Sequence, residues 1–368
     1  MSKEKDNNKK ESALKVNDGI DEPSQINPDV VKKFLSQKKT FSVEEIIEGI
    51  KKGDRVALSR AITLIESLNP THYELAQKII QECLPLSGKS LRIGITGIPG
   101  AGKSTFIESF GTMLTNLGHN VAVLAIDPTS QISKGSILGD KVRMEKLATN
   151  PKAFIRPSPS AGTLGGVSRK TKESMILCEA AGFDIILIET VGVGQSEVAV
   201  KNMIDFFLLL LVAGAGDELQ GMKRGIIEMA DAIFINKADG DNLNKAKISA
   251  QEYKLAMHLL PPHPAGWIPV VDVCSAITGY NLDIIWETIQ NYVNLTKNNG
   301  YFDRNRQQQE AQRIYDYLVE ELNLFFWNND KLQSEYESLK QQVLQQKLTA
   351  YQAAAILKSL FIKLLSKL

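Results

Sequence analysis

Three stretches of the chain carry residues whose type and spacing could act on a nucleotide. The first is Gly97-Ile98-Pro99-Gly100-Ala101-Gly102-Lys103-Ser104, followed by Thr105, a complete GxxxxGK[ST] pattern. Glycines there let backbone N–H groups wrap a β-phosphate; Lys103 reaches β- and γ-phosphate oxygens and the Ser104 hydroxyl ligates Mg²⁺. The second is Asn236-Lys237-Ala238-Asp239. A carboxylate at Asp239 can accept from guanine N1–H and N2–H₂. Adenine offers neither donor, and a buried acid left unpaired costs about 1–3 kcal/mol. Asn236 can tie this loop to the phosphate loop, and the Lys237 stem can lie along a base. Ser275-Ala276 fits a further base-contact loop or an ordinary turn at a strand end. The third is a set of acids, Asp127, Asp140 and Glu189. Carboxylates at the C-terminal ends of adjacent parallel strands point into the crevice where phosphates lie. One Mg²⁺ does not need all three directly, so at least one acts through water or orients the attacking water. Asp140 alone also suits a surface loop.

Glu189-Thr-Val-Gly192 occupies the place of the DxxG of many GTPases, where the acid reaches Mg²⁺ through water and the glycine N–H senses the γ-phosphate. Here the acid is one methylene longer. Gln195 is not adjacent to Gly192, so the usual water-positioning glutamine has no clear counterpart.

These residues need strands to end beside them. LRIGITG (91–97), VAVLAID (121–127), DIILIE (184–189), FFLLLLVA (206–213), AIFINK (232–237) and PVVDVCS (269–275) are short apolar runs separated by helical stretches. That is the βαβ signature of an α/β fold with a mostly parallel sheet covered on both faces. Residues 1–26 read as a disordered lead and 27–86 as a helical N-terminal extension, with Ser42-Val-Glu-Glu45 as a capping box and Pro70 opening a helix toward Cys83. A nucleotide domain spans 87–297. From 298 to 368 the chain is Gln-, Lys- and Leu-rich with helical spacing and a large apolar face that needs burial against the body or a second copy.

Composition narrows the partners. Against 43 Lys+Arg stand 42 Asp+Glu, a net charge of +1, which disfavours nucleic acid as a bulk electrostatic partner. Three cysteines without paired spacing argue against a disulfide framework, and four scattered histidines against a zinc site. FFLLLLVA is far short of the roughly 20 residues that span a bilayer, and a buried parallel strand explains it better. The N-terminal MSKEKDNNKKES lacks both an apolar core and arginine, so neither a signal nor a transit peptide is expected and the location reads as cytoplasmic.

The phrases GIPGAGKST, VLAIDPTS, GSILGDKVRM, RPSPSAGTLGGVSRKT, ETVGVGQSE, GAGDELQGMKRGIIE and NKADG together resemble the methylmalonyl-CoA mutase-associated GTPases, the MeaB/ArgK family, over about residues 30–330. The resemblance implies a P-loop GTPase of the signal-recognition/MinD-like class that is homodimeric through its C-terminal helices. It also implies a chaperone that gates adenosylcobalamin delivery to an acyl-CoA mutase and helps expel inactivated cobalamin. By the same resemblance Ser104, Asp127, Asp140 and Glu189 furnish the Mg²⁺ shell. Asp217, Gln220, Lys223 and Arg224 then belong to a mobile switch coupling GTP state to the mutase. SPSAGTLGGVSRK (158–170) reads as an anion-binding helix start, a mutase-contacting face, or a long connection. Two rivals share the nucleotide chemistry: a metal-inserting GTPase, for which a Cys/His tract is missing, and a nucleotide-gated scaffold that hydrolyses GTP negligibly.

Overall fold

The structure is a computed structural model and describes residues 41–67, 69–127, 144–159, 164–190, 196–214 and 224–366. Seven parallel strands form its centre: β1 (Leu91–Gly97), β2 (Val121–Asp127), β3 (Ala153–Pro159), β4 (Ile185–Thr190), β5 (Phe206–Val212), β6 (Ala232–Asn236) and β7 (Val270–Val273), in the order β3-β2-β4-β1-β5-β6-β7. Parallel strands buried on both faces must send alternate side chains to opposite layers, and they do. In β4, Ile185 and Leu187 enter one core while Ile186 and Ile188 enter the other; β2 splits Val121 and Val123 from Ala122, Leu124 and Ile126 in the same way.

The strand β3 is not among the apolar runs of the sequence. It lies at the edge of the sheet beside β2 and carries Arg156 and Pro157, which an interior strand does not tolerate.

One face is covered by α1 (Val43–Lys51), α2 (Arg55–Glu66), α3 (Pro70–Cys83) and α6 (Leu164–Ala180). Asp54 caps α2 by accepting from the Val56 N–H at 2.7 Å, and Asn69 caps α3 through the Thr71 N–H at 3.1 Å. In α2 the residues Leu58, Ala61, Ile62 and Ile65 are buried, the spacing of a single helical stripe. The helix α6 lies between these helices and the sheet, so its Thr171–Ala180 turns are buried all round. Polar residues on it therefore need partners. Glu179 takes them from Arg92 (3.0 Å), the Ser90 hydroxyl and the Gly88 N–H.

The opposite face is covered by α4 (Lys103–Asn116), α5 (Glu145–Thr149) and α10 (Leu282–Asn298). The first face is continued by α7 (Ser196–Lys201), α8 (Arg224–Met229) and α9 (Leu243–Met257), the last closing the core over β5 to β7. The C-terminal arm consists of α11 (Tyr301–Trp327), α12 (Asp330–Leu344) and α13 (Ala350–Leu365). Its root is fixed by Arg306, which donates to both Asp205 carboxylate oxygens (2.8 and 2.7 Å) and to the carbonyls of Gly88 and Ser90. Farther along, α11 meets α6 through Lys172–Asp316 at 3.5 Å and Arg169–Glu320 at 3.5 Å. The arm's own core is small: Leu339, Ala353 and Leu357, with Phe326 and Tyr336 against them. No helix among the described residues is long and apolar enough to cross a membrane.

Candidate nucleotide site

The sheet order places β1 between β4 and β5, with the chain moving outward to one side through β2 and β3 and to the other through β6 and β7. In open α/β sheets such a reversal opens a crevice at the C-terminal strand ends. Gly97 ends β1 there, beside Leu210 of β5. A Cβ on Gly97 would stand 2.1 Å from the Leu210 carbonyl oxygen, so no side chain fits where the phosphate loop leaves the sheet. Ile98 is half-buried, Pro99, Gly100 and Thr105 are exposed, and Ala101 is buried beneath the loop.

Gly102 precedes α4 in the left-handed region (φ +84°), and the helix start has no side-chain cap. Its N–H groups are thus left to an external acceptor, as an anion-binding helix start requires. A Cβ on Gly102 would also approach the Asn236 amide nitrogen to 2.9 Å. Lys103 folds back over the loop, its Nζ donating to the carbonyls of Gly97 (2.8 Å) and Ile98 (3.2 Å). Burial lowers the pKa of this ammonium, and the charges of Glu189 and Glu197 oppose that shift.

At the end of β4, Glu189 accepts from the Ser104 hydroxyl at 3.1 Å, while the buried Thr190 hydroxyl donates to Thr96 of β1 at 2.7 Å. Two hard oxygen donors thus meet where β4, β1 and the start of α4 converge, a donor set that suits Mg²⁺. Among the described residues no three His, Cys, Asp or Glu side chains gather into a metal cluster. Asp127 ends β2, two strands from β1; its side chain lies outside the description. Asp140, Gly192, Asp217, Gln220 and Lys223 lie outside the described residues, and of Arg224 only the backbone is described, at the start of α8.

The base end is built from the termini of β6 and β7. Asn236 is buried and donates to the Ala101 carbonyl at 2.8 Å, while its Oδ1 accepts from the Ala276 N–H at 3.0 Å. One amide therefore joins the phosphate loop to the loop after β7. Lys237 follows in the left-handed region (φ 61°), turning the chain so that Asp239 faces Ser275. The Ser275 hydroxyl donates to Asp239 Oδ2 at 2.5 Å. Lys237 is exposed, its stem free to cover a base, and Ser275 and Ala276 are buried. The neighbouring Cys274 thiol has its pKa pushed up to about 12 by burial, which leaves it an inert packing group.

Two residues at the site escape the sequence patterns. Glu197, fully buried in the first turn of α7, carries one of the charges that act on Lys103. Its signal was its place at the end of ETVGVGQSE, eight residues after the strand-end acid Glu189. Ser109 of α4 donates to the Ala276 carbonyl at 2.6 Å, and no motif marks it. Within the stretch 158–170, α6 begins at Leu164 and takes in Gly165 and Gly166, and residues 160–163 lie outside the described residues. Arg169 is turned inward onto Glu173, Glu320 and Glu321 and lies 4.9 Å over the Tyr73 ring, so it braces the arm rather than facing a ligand.

Comparison with known proteins agrees with this geometry. Residues 58–331 match the family model described as "Methylmalonyl Co-A mutase-associated GTPase MeaB". The chain is 46% identical to the GTPase ArgK of Escherichia coli over 290 residues, covering 78% of this chain and 88% of that one. It is 44% identical over 337 residues to the mouse methylmalonic aciduria type A homolog, mitochondrial, covering 89% and 81%. Among solved structures, one described as a LAO/AO transport system kinase superposes with a TM-score of 0.69 at 36% identity, over 87% of this chain and 97% of that chain.

Proposed function

We propose, from the premise that the chain belongs to the MeaB family of methylmalonyl-CoA mutase-associated GTPases, that its GTP hydrolysis gates adenosylcobalamin loading of an acyl-CoA mutase such as methylmalonyl-CoA mutase and protects or reactivates that enzyme. The observation that carries the nucleotide part is the single Asn236 side chain bonded to both Ala101 and Ala276, with Asp239 held by Ser275 alongside. It makes the phosphate and base ends one structure, with a carboxylate at the end where guanine differs from adenine. Family membership supports the mutase as partner.

In this reading the loop amides from Gly97 to Thr105 cradle the phosphates. Lys103 leaves the Gly97 and Ile98 carbonyls for the β- and γ-phosphate oxygens, exchanging two neutral acceptors for charged ones. Ser104 and Glu189, with Asp127 and Asp140, would hold Mg²⁺, which neutralises charge developing on the transferred phosphoryl group. Water then attacks the γ-phosphorus in line and GDP leaves. The protein supplies positioning and electrostatic stabilisation, with Lys103 and the loop amides aimed at the equatorial oxygens. Gly192 would sense the γ-phosphate, and Asp217, Gln220, Lys223 and Arg224 would pass its presence to the mutase.

In the sequence Gln195 is not adjacent to Gly192, and no arginine is clearly placed as an intrinsic finger. Basal hydrolysis is therefore expected to be slow and to accelerate when the mutase orders the switch. Turnover measured with and without mutase tests this, and equal, fast rates in both would overturn it. The second copy is the occupant read for the arm: Ile314, Leu318, Leu322 and Phe325 fall at helical spacing on α11 and are all exposed. A cytoplasmic location is the reading the mixed acid and lysine N-terminal segment supports.

A further inference from the structure

The helix α4 contains three residues able to hydrogen-bond through a hydroxyl after its first turn, and one behaves differently from its neighbours. Thr112 and Thr115 bond back to carbonyls of their own helix, Glu108 (2.7 Å) and Thr112 (2.8 Å), the common fate of a mid-helix hydroxyl. Ser109 instead leaves its helix and donates to the Ala276 carbonyl at 2.6 Å, across 167 residues of sequence. Ala276 is thereby held by both main-chain groups, its N–H on Asn236 and its C=O on Ser109. Beside this contact lies an open groove of about 670 Å³, lined by Thr112, Asn116, Leu117 and Ile277 among others. Ile277, the next residue, is 77% exposed. On that side the loop after β7 has open space where packing could otherwise fix it, and the Ser109 hydroxyl is its brace.

The brace leads to the base-reading carboxylate. Ser275, adjacent to Ala276, is the residue whose hydroxyl holds Asp239 Oδ2. Its N–H donates to the Tyr280 carbonyl at 3.0 Å, so the loop's position sets where that hydroxyl points. We propose that Ser109 is a positioning residue for base selection: by bracing Ala276 it keeps Ser275 on Asp239 and so fixes the carboxylate against the guanine edge. This rests on the guanine reading of Asp239. Ser109 acts through Ala276, to whose carbonyl its hydroxyl is committed. It links the helix that begins at Lys103 to the loop that reads the base, so recognition at one end of GTP depends on the element that grips the other.

The test is a double-mutant cycle in the full chain, with GTP and with inosine triphosphate, which lacks the 2-amino group. Ser109→Ala is expected to raise KM for GTP about three- to tenfold at constant kcat, the size of one lost hydrogen bond, and to lower the GTP-over-ITP preference. Ser109→Thr, which keeps a hydroxyl, restores both. In an Asp239→Ala background, Ser109→Ala produces no further change. An unchanged KM and preference in Ser109→Ala, or an equal effect with and without Asp239, overturns the proposal. If Asp239→Ala alone leaves the GTP-over-ITP preference intact, the guanine reading fails, and that outcome is separate from any behaviour of Ser109.

Discussion

The sheet and the arm handle the same kind of residue in opposite ways. Along β5 every residue from Phe206 to Leu211 is at most 1% exposed, each side chain taken up by one of the two helical layers. Along α11, Ile314 is 74% and Leu318 57% exposed. Yet the arm is not loosely attached: Arg306 is locked at its root and Arg169 along its length. Its polar side is spent on the body, and its apolar side is left facing outward. The sheet is covered on both faces within one chain, whereas the arm keeps that stripe exposed.

The sharpest way to break this contrast is at the phosphate loop. Lys103→Ala is expected to abolish measurable GTP turnover, a loss of at least about 10³-fold, while leaving the oligomeric state by light scattering unchanged. Retained turnover would remove the loop from the chemistry. Next, Asp239→Asn should shift preference from GTP toward xanthosine triphosphate by about 10²-fold in kcat/KM, because the purine 2-position changes from donor to acceptor. At the root of the arm, Arg306→Ala leaves the Asp205 carboxylate, 1% exposed, without its cation. A buried charge stripped of its partner typically costs about 3–5 kcal/mol, so denaturant midpoints should fall clearly. The mildest change is Leu318→Asp: stability within about 0.5 kcal/mol and basal turnover unchanged, but a shift toward monomer in sedimentation. A monomeric parent protein would end the second-copy reading of the stripe.

What could be read from the residues in advance follows the same division. The phosphate loop and Asn236–Asp239 were legible because their chemistry needs fixed residue types at fixed spacing, and the strand and helix around the loop fall where that chemistry demands. Central strands were legible because burial on both faces leaves only apolar runs. The edge strand β3 was not, since one open side admits Arg156 and Pro157. Nor was the start of α6, where Gly165 and Gly166, poor helix formers, fall within the helix. Ser109 and Glu197 act through contacts between distant segments. A hydroxyl within a helical stretch looks the same in sequence whether it bonds its own helix or a loop 167 residues away.

The Arg306 contact also has a consequence in time. It joins residues 216 and 218 positions apart, and the chain is made in order. At about 5–20 residues per second, Gly88 and Ser90 emerge roughly 10–45 s before the side chain that satisfies their carbonyls. Throughout that interval the strand carrying the phosphate loop has an unfinished lower end, and Asp205, made partway through it, then awaits its cation as well. The nascent protein must therefore pass through a stage in which its nucleotide-gripping end is already synthesised and its foundation is not. Synthesis of the arm's first turns is what ends that exposure.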